Sequence, residues 1–145
     1  YFSKLHGIED SVRTERKKQL FDRFGIGQFA EVKICELSTG MKQKVSIAIA
    51  LVHNPDVIIF DEPTNGLDVL TARVVTDYLK ELKEMGKTII ISTHIFSLVE
   101  RLCDRVGIII NGKLLLDEPL STIAENEEDL ENVFFNLVEK ESEGC

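Results

Sequence analysis

Two adjacent carboxylates end a short apolar run: Val57-Ile58-Ile59-Phe60 is followed by Asp61-Glu62 and then by Pro63. Such a run, bounded by turn residues, predicts a strand buried on both faces. Its end would deliver both carboxylates to the carboxyl edge of a sheet, where open α/β folds bind their ligands. Neighbouring carboxylates can divide labour there, one toward a metal-bound phosphate and the other toward a water. A polar strand end entering a proline turn is the plainer use of the same residues.

A second candidate is Leu37-Ser38-Thr39-Gly40-Met41, which opens a helix. Free backbone N–H groups, the Ser38 hydroxyl and the small Gly40 make an anion cradle, assisted by the helix dipole. Taken alone, Ser38 is an ordinary N-cap. His94 follows Ser92-Thr93 at the end of a second apolar run and would sit at the same sheet edge, as a ligand or as a satisfied capping residue. His53, before Pro55, reads as structural, and His6 has no assigned role. Gly25-Ile26-Gly27-Gln28-Phe29-Ala30 matches the dinucleotide fingerprint on paper. It follows a helix instead of a strand, so it reads as a helix-ending loop. Arg13, Arg16, Lys17 and Lys18 are surrounded by Glu9, Asp10, Glu15 and Asp22, the pattern of a solvated helix face.

The elements that would position these groups follow from periodicity. Asp10-Ser11 caps a helix over 11–24 with Val12, Leu20, Phe21 and Phe24 on one side, ending at Gly25. Ser38 caps a helix running to about His53, stopped by Asn54-Pro55. After the strand at 57–60 and a turn at Pro63–Gly66 comes a helix over 69–85. Its stripe is Val75, Tyr78, Leu82 and Met85, and Gly86 closes it. Thr88–Ser92 reads as a second buried strand, 95–104 as a helix and Val106–Ile110 as a third strand. Asn111-Gly112 is a hairpin turn into Lys113–Leu116. Ser121 caps a last amphipathic segment carrying Leu130, Val133, Phe134, Leu137 and Val138. The alternation predicts an α/β chain with a largely parallel sheet.

Composition narrows the function classes. The 145 residues carry 17 Lys+Arg against 25 Asp+Glu, a net charge of −8. Residues 117–145 hold ten of the acids and only Lys140 among the bases, so the body of the chain is near neutral. A nucleic-acid groove needs a clear basic excess, and none is present. No apolar stretch approaches the roughly 20 residues of a membrane span. The charged tail offers no basic membrane-binding face, so membrane contact is expected only through a partner. The chain starts at Tyr1 with no signal peptide, and the beginning of the protein is expected to be missing. Cys35, Cys103 and Cys145 are odd in number and unpaired in spacing, which points to a reducing, cytosolic compartment.

In order, LSTGMKQK (37–44), VIIFDEP (57–63), NGLD (65–68) and STH (92–94) resemble the ATP-binding subunits of ABC transporters. The resemblance extends through DRVGIIINGKLLLD (104–117). The STGMKQK variant and the ending LENVFFNLV are most similar to the branch containing sodium- and drug-efflux ATPase subunits. The resemblance implies a P-loop NTPase-type parallel sheet, with residues 1–54 part of the helical signature subdomain. Residues 55–116 would be the C-terminal part of the ATPase core, and 117–145 an acidic helical tail. It implies that Ser38, Thr39 and Gly40 form the signature that meets the γ-phosphate of ATP held by an opposite subunit. Asp61 would be the Walker B carboxylate assisting Mg²⁺ and Glu62 the general base. Asp68 would be the D-loop acid and His94 the switch histidine reaching the γ-phosphate. The implied partners are a second ATP-binding subunit, in a head-to-tail dimer, and transmembrane permease subunits on the cytoplasmic face of a membrane.

The chain departs from the family at Thr39, where a second glycine is usual, and at Met41, where glutamine is usual. These 145 residues also contain no G-x-x-x-x-G-K-S/T phosphate loop, no adenine-stacking aromatic and no glutamine loop. The resemblance therefore implies the C-terminal part of an ATPase subunit, its sheet incomplete, with exposed strand edges and apolar surface. The intact protein is expected to hydrolyse ATP, and these residues alone are not. An ABC-type ATPase outside transport, in DNA repair or translation, and a non-catalytic remnant that only binds a partner are the alternatives.

Overall fold

The computed structural model describes residues 2–125 and 129–143, which form two compact units, Tyr1–Ser92 and Thr93–Cys145. Cys145, one of the three cysteines, lies outside the described residues.

The first unit begins with helix α1 (Phe2–Leu5) and helix α2 (Asp10–Phe24). Gly25 ends α2 in the left-handed region at φ 64°, its N–H turned back to the carbonyls of Phe21 and Asp22. The glycine-rich segment after it is a 3₁₀ turn, Ile26–Phe29, so its glycine works as a helix terminator. Helix α3 (Thr39–Leu51) starts at Ser38 as expected, and buries Ile47, Ala48 and Leu51. Strand β1 (Val57–Asp61) leads to helix α4 (Val69–Glu84), which buries Val75, Leu79 and Leu82. Strand β2 (Thr88–Ser92) then pairs with β1 in parallel, Val57 opposite Thr88 and Asp61 opposite Ser92. Helix α2 is joined to α4 by Arg23, which salt-bridges Glu81 and lies over the Tyr78 ring at 4.6 Å.

Several expectations for this unit need correction. β2 is not a buried strand: Thr88, Ile90 and Ser92 are exposed and Ile89 and Ile91 only half-buried. Asp10-Ser11 does not cap α2, which begins at Asp10 after Glu9 with no side-chain cap bond, and Val12 is exposed. β1 is not buried on both faces: Ile58 and Phe60 are 4% and 9% exposed, whereas Val57 and Ile59 are 57% and 72% exposed. A continuous apolar run does not show which of its alternate side chains find cover. Met85 also leaves the α4 stripe and is 69% exposed, because the helix ends at Glu84 and Thr71, Thr76 and Leu79 complete the buried face.

The second unit contains helix α5 (Phe96–Leu102) and strands β3 (Arg105–Ile110) and β4 (Lys113–Pro119). Helices α6 (Leu120–Glu125) and α7 (Leu130–Glu143) complete it. Among the described residues β3 does not extend the parallel pair. It pairs antiparallel with β4 through the Asn111-Gly112 turn, whose φ angles of 51° and 76° suit these two residue types. The described strands therefore form a parallel pair in one unit and a separate antiparallel pair in the other, where a hairpin turn satisfies β3 locally. Val106 and Ile108 of the hairpin form a core with Ile123, Leu130 and Val133, and Phe96 packs against it. Ser121 is not the cap of the final helix but lies inside α6. Asp129 takes the capping role at α7, its carboxylate accepting from the Glu131 N–H at 3.1 Å.

Candidate functional site

The carboxyl end of β1 is held by β2. The Ser92 hydroxyl donates to Asp61 Oδ1, fixing the direction of an exposed carboxylate at the strand end. A carboxylate has about four acceptor positions, so one hydroxyl orients Asp61 without exhausting it. The next residue leaves the strand abruptly. Glu62 adopts φ 45°, a left-handed conformation that is rare for a non-glycine residue and unfavourable before proline. Such strain costs on the order of 1–3 kcal/mol and persists only where surrounding bonds hold it. Here they are visible. The Glu62 N–H donates to the Ser92 carbonyl at 2.9 Å, and the Glu62 carbonyl accepts from the Asn65 N–H at 3.1 Å. Pro63 behind it is fully buried. The Gln43 side chain of α3 adds Nε2 contacts of 3.5 Å and 3.3 Å to the carbonyls of Glu62 and Pro63.

The start of α3 forms the second part. Ser38 is extended, and its Oγ accepts from the Met41 N–H at 3.2 Å. The hydroxyl proton is still a donor, so the cap and an anion contact are compatible. Met41 thus serves the cap through its backbone, where its side-chain type does not matter. Thr39 and Gly40 rest on the turn after β1. A Cβ on Gly40 would stand 3.1 Å from the Gly66 carbonyl oxygen, and one on Gly66 would stand 3.0 Å from Thr39 Cγ2. Gly66 also needs φ 72°. The small residue in the helix start therefore permits a close approach to the turn, a use that the anion-cradle reading of Gly40 did not contain.

Asp68 caps α4, accepting from the Thr71 N–H at 3.0 Å and the Thr71 hydroxyl at 2.6 Å. The hydroxyl bond first, then the backbone bond, hold its carboxyl below the usual carboxylate range. The cap is thus complete at neutral pH and is lost as pH falls through that lowered value. His94 is exposed and belongs to the second unit, in the turn where Thr93 Oγ1 accepts from the Ile95 N–H at 3.2 Å.

His53 and His6 stack with ring centroids 4.0 Å apart and nearly parallel planes. Burial, followed by the charges of His6 and Arg16, pushes His53 below the ordinary histidine value. The unfolded chain, titrating near ~6.5, then takes up the proton first. This contribution to stability is complete above that value and declines as pH falls below it. His53→Gln is expected to flatten the urea midpoint between about pH 7 and about pH 5. An undiminished slope in the variant would assign the effect to other groups.

Of the residues singled out in sequence, the structure brings Thr39 and Gly40 against the Gly66 turn and ties the Glu62 carbonyl to α3 through Gln43, whereas Ser38 bonds within α3, Asp68 within α4 and Asp61 to Ser92. Sequence reading did not single out Gln43, a polar residue inside a helix whose partners lie 19 and 20 positions away. Among the described residues, no cluster of three metal-ligating side chains occurs. No helix among them is long and apolar enough to cross a membrane.

The family described as ABC transporter matches residues 2–65. The ABC transporter ATP-binding protein NatA of Bacillus subtilis (strain 168) is 38% identical over 138 residues, covering 94% of this chain and 56% of the relative. A solved ATP-binding subunit of an ABC transporter superposes with TM-score 0.85 at 29% identity, covering 94% of this chain and 60% of the other. A dimeric ATP-binding cassette in a post-hydrolysis state, bound to ADP and phosphate, gives TM-score 0.68 at 30% identity, covering 78% and 49%. The chain spans about half the length of the curated relatives it matches. On these matches the chain belongs to the ATP-binding domains of ABC transporters.

Proposed function

We propose that the complete protein is an ATP-binding and ATP-hydrolysing subunit of an ABC exporter, and that these residues carry its signature, Walker B and switch elements. The observation that carries this reading is the strained Glu62 beside Asp61 at the end of β1, held in place by Ser92, Asn65 and Gln43. Fixed strain at a ligand-binding sheet edge is the signature of a group whose position matters chemically. The exporter assignment rests on the Ser38-Thr39-Gly40-Met41 variant.

In this reading Glu62 accepts a proton from a water as the water's oxygen attacks the γ-phosphorus, and ADP departs with the electrons of the broken P–O bond. The donors at the start of α3 bind the γ-phosphate of a nucleotide presented by a second subunit in a head-to-tail dimer. Asp68 and Gly66 set the turn that borders this helix start, and His94 is read as the switch histidine that reaches a γ-phosphate. Asp61 fits Mg²⁺, which takes one or two protein carboxylates and completes its shell with water and phosphate oxygens. When bound, the ion neutralises charge on the phosphates. Permease subunits are the remaining partners, placing the protein on the cytoplasmic face of the membrane without inserting it. Neither nucleic acid nor lipid enters the scheme.

ATP hydrolysis by the complete subunit, with and without Glu62→Gln, tests this. The 145 residues alone, which contain no G-x-x-x-x-G-K-S/T, are expected to show no saturable MgATP binding in the micromolar range by calorimetry. Such binding would mean that the residues present form a nucleotide site unaided, and would overturn that expectation.

A further inference from the structure

Gln43 lies in the second turn of α3, half-buried, five residues after the Ser38 cap. Its side chain faces two successive carbonyl oxygens, those of Glu62 at 3.5 Å and Pro63 at 3.3 Å. Carbonyls only accept, so the NH₂ end of the amide must face them, and its two hydrogens suffice for both. The first of these carbonyls belongs to the residue that holds the unfavourable φ 45°. Two further restraints, from Ser92 and Asn65, come from the adjoining strand and from within the turn itself. Gln43 is therefore a restraint that reaches the Glu62 and Pro63 carbonyls from the helix bearing Ser38 and Gly40.

We infer that Gln43 is a positioning residue that fixes the Glu62 backbone, and so the direction of its carboxylate, by donating to the carbonyls of Glu62 and Pro63. The inference rests on the reading of Glu62 as general base. It requires a long side chain with two donors on one nitrogen. Methionine keeps the length without donors. Glutamate keeps the shape and sets an oxygen against two carbonyl oxygens.

The test is made in the complete subunit. Gln43→Met and Gln43→Glu are expected to lower kcat for ATP hydrolysis roughly 10–100-fold, as misplacement of a reacting group does, with KM for ATP and the thermal midpoint little changed. The double variant Gln43→Met/Glu62→Gln is expected to keep the residual single-turnover rate of Glu62→Gln, because the position being held no longer acts. Multiplicative losses in the double variant, or losses in KM and thermal midpoint that account for the rate, would assign Gln43 a merely structural part and overturn the inference. Should Gln43→Met fail to fold, Gln43→Glu carries the same comparison. If Glu62→Gln alone retains the full rate, the general-base reading fails. If Glu62→Gln is slow and both Gln43 variants are as fast as the parent, only the Gln43 inference fails.

Discussion

Replacing Glu62 by glutamine in the complete subunit is expected to lower kcat for ATP hydrolysis by about 10²–10⁴-fold, the usual contribution of a positioned general base. The exchange keeps size and planarity, so the turn geometry at φ 45° and its backbone bonds to Ser92 and Asn65 have no reason to change. What it removes is the ability to accept a proton as the water attacks. Nucleotide affinity should therefore stay near that of the parent while turnover collapses. A rate within threefold of the parent would show that the proton goes elsewhere. A large loss of affinity would instead mean that Glu62 holds the nucleotide or the turn.

The second large effect is expected at Gly66. Its φ of 72° and the 3.0 Å separation between an added Cβ and Thr39 Cγ2 oppose any larger residue for two independent reasons. Gly66→Val should destabilise the chain by roughly 1–3 kcal/mol, since a β-branched residue is strained at positive φ. The turn or the start of α3 must also move, which should lower hydrolysis in the complete subunit beyond what stability explains. Two further variants separate the causes. Gly66→Asn tolerates the left-handed backbone, so it retains mainly the contact cost. Gly66→Ala combined with Thr39→Ser, which lacks the γ-methyl, should recover part of the loss seen in Gly66→Ala alone. Equal denaturant midpoints for Gly66→Ala with and without Thr39→Ser would show that the close approach carries no energy.

Much of the site is legible from residue types because caps and strand ends are local. Ser38 is a common cap residue at the right place, and the structure shows its Oγ on the Met41 N–H three residues on. Asp68 caps α4 in the same way, a role its sequence reading did not include. Asp61 ends β1 for the equally local reason that an apolar run stops there. Gln43 was hidden because its partners are backbone carbonyls, which leave no trace in side-chain identity. The purpose of Gly40 was similarly masked: a glycine that allows an approach to Gly66 looks the same in sequence as one that opens an anion cradle. At the fold level, Asn111-Gly112 marks its hairpin through a turn chemistry few other pairs satisfy. The side of β1 that stays open could not be seen, because Val57, Ile58, Ile59 and Phe60 are all apolar and burial is decided by what packs on each face.

The start of α3 and the end of β1 are proposed to serve one ATP reaction across two subunits. Sedimentation of the complete Glu62→Gln subunit with and without MgATP tests this most directly, because slow hydrolysis should preserve the ATP-bound state. A monomer that becomes a dimer only with MgATP, and stays monomeric when Ser38→Arg is added, is the predicted result. A monomer at saturating MgATP, or a dimer unaffected by nucleotide and by Ser38→Arg, would contradict the shared site.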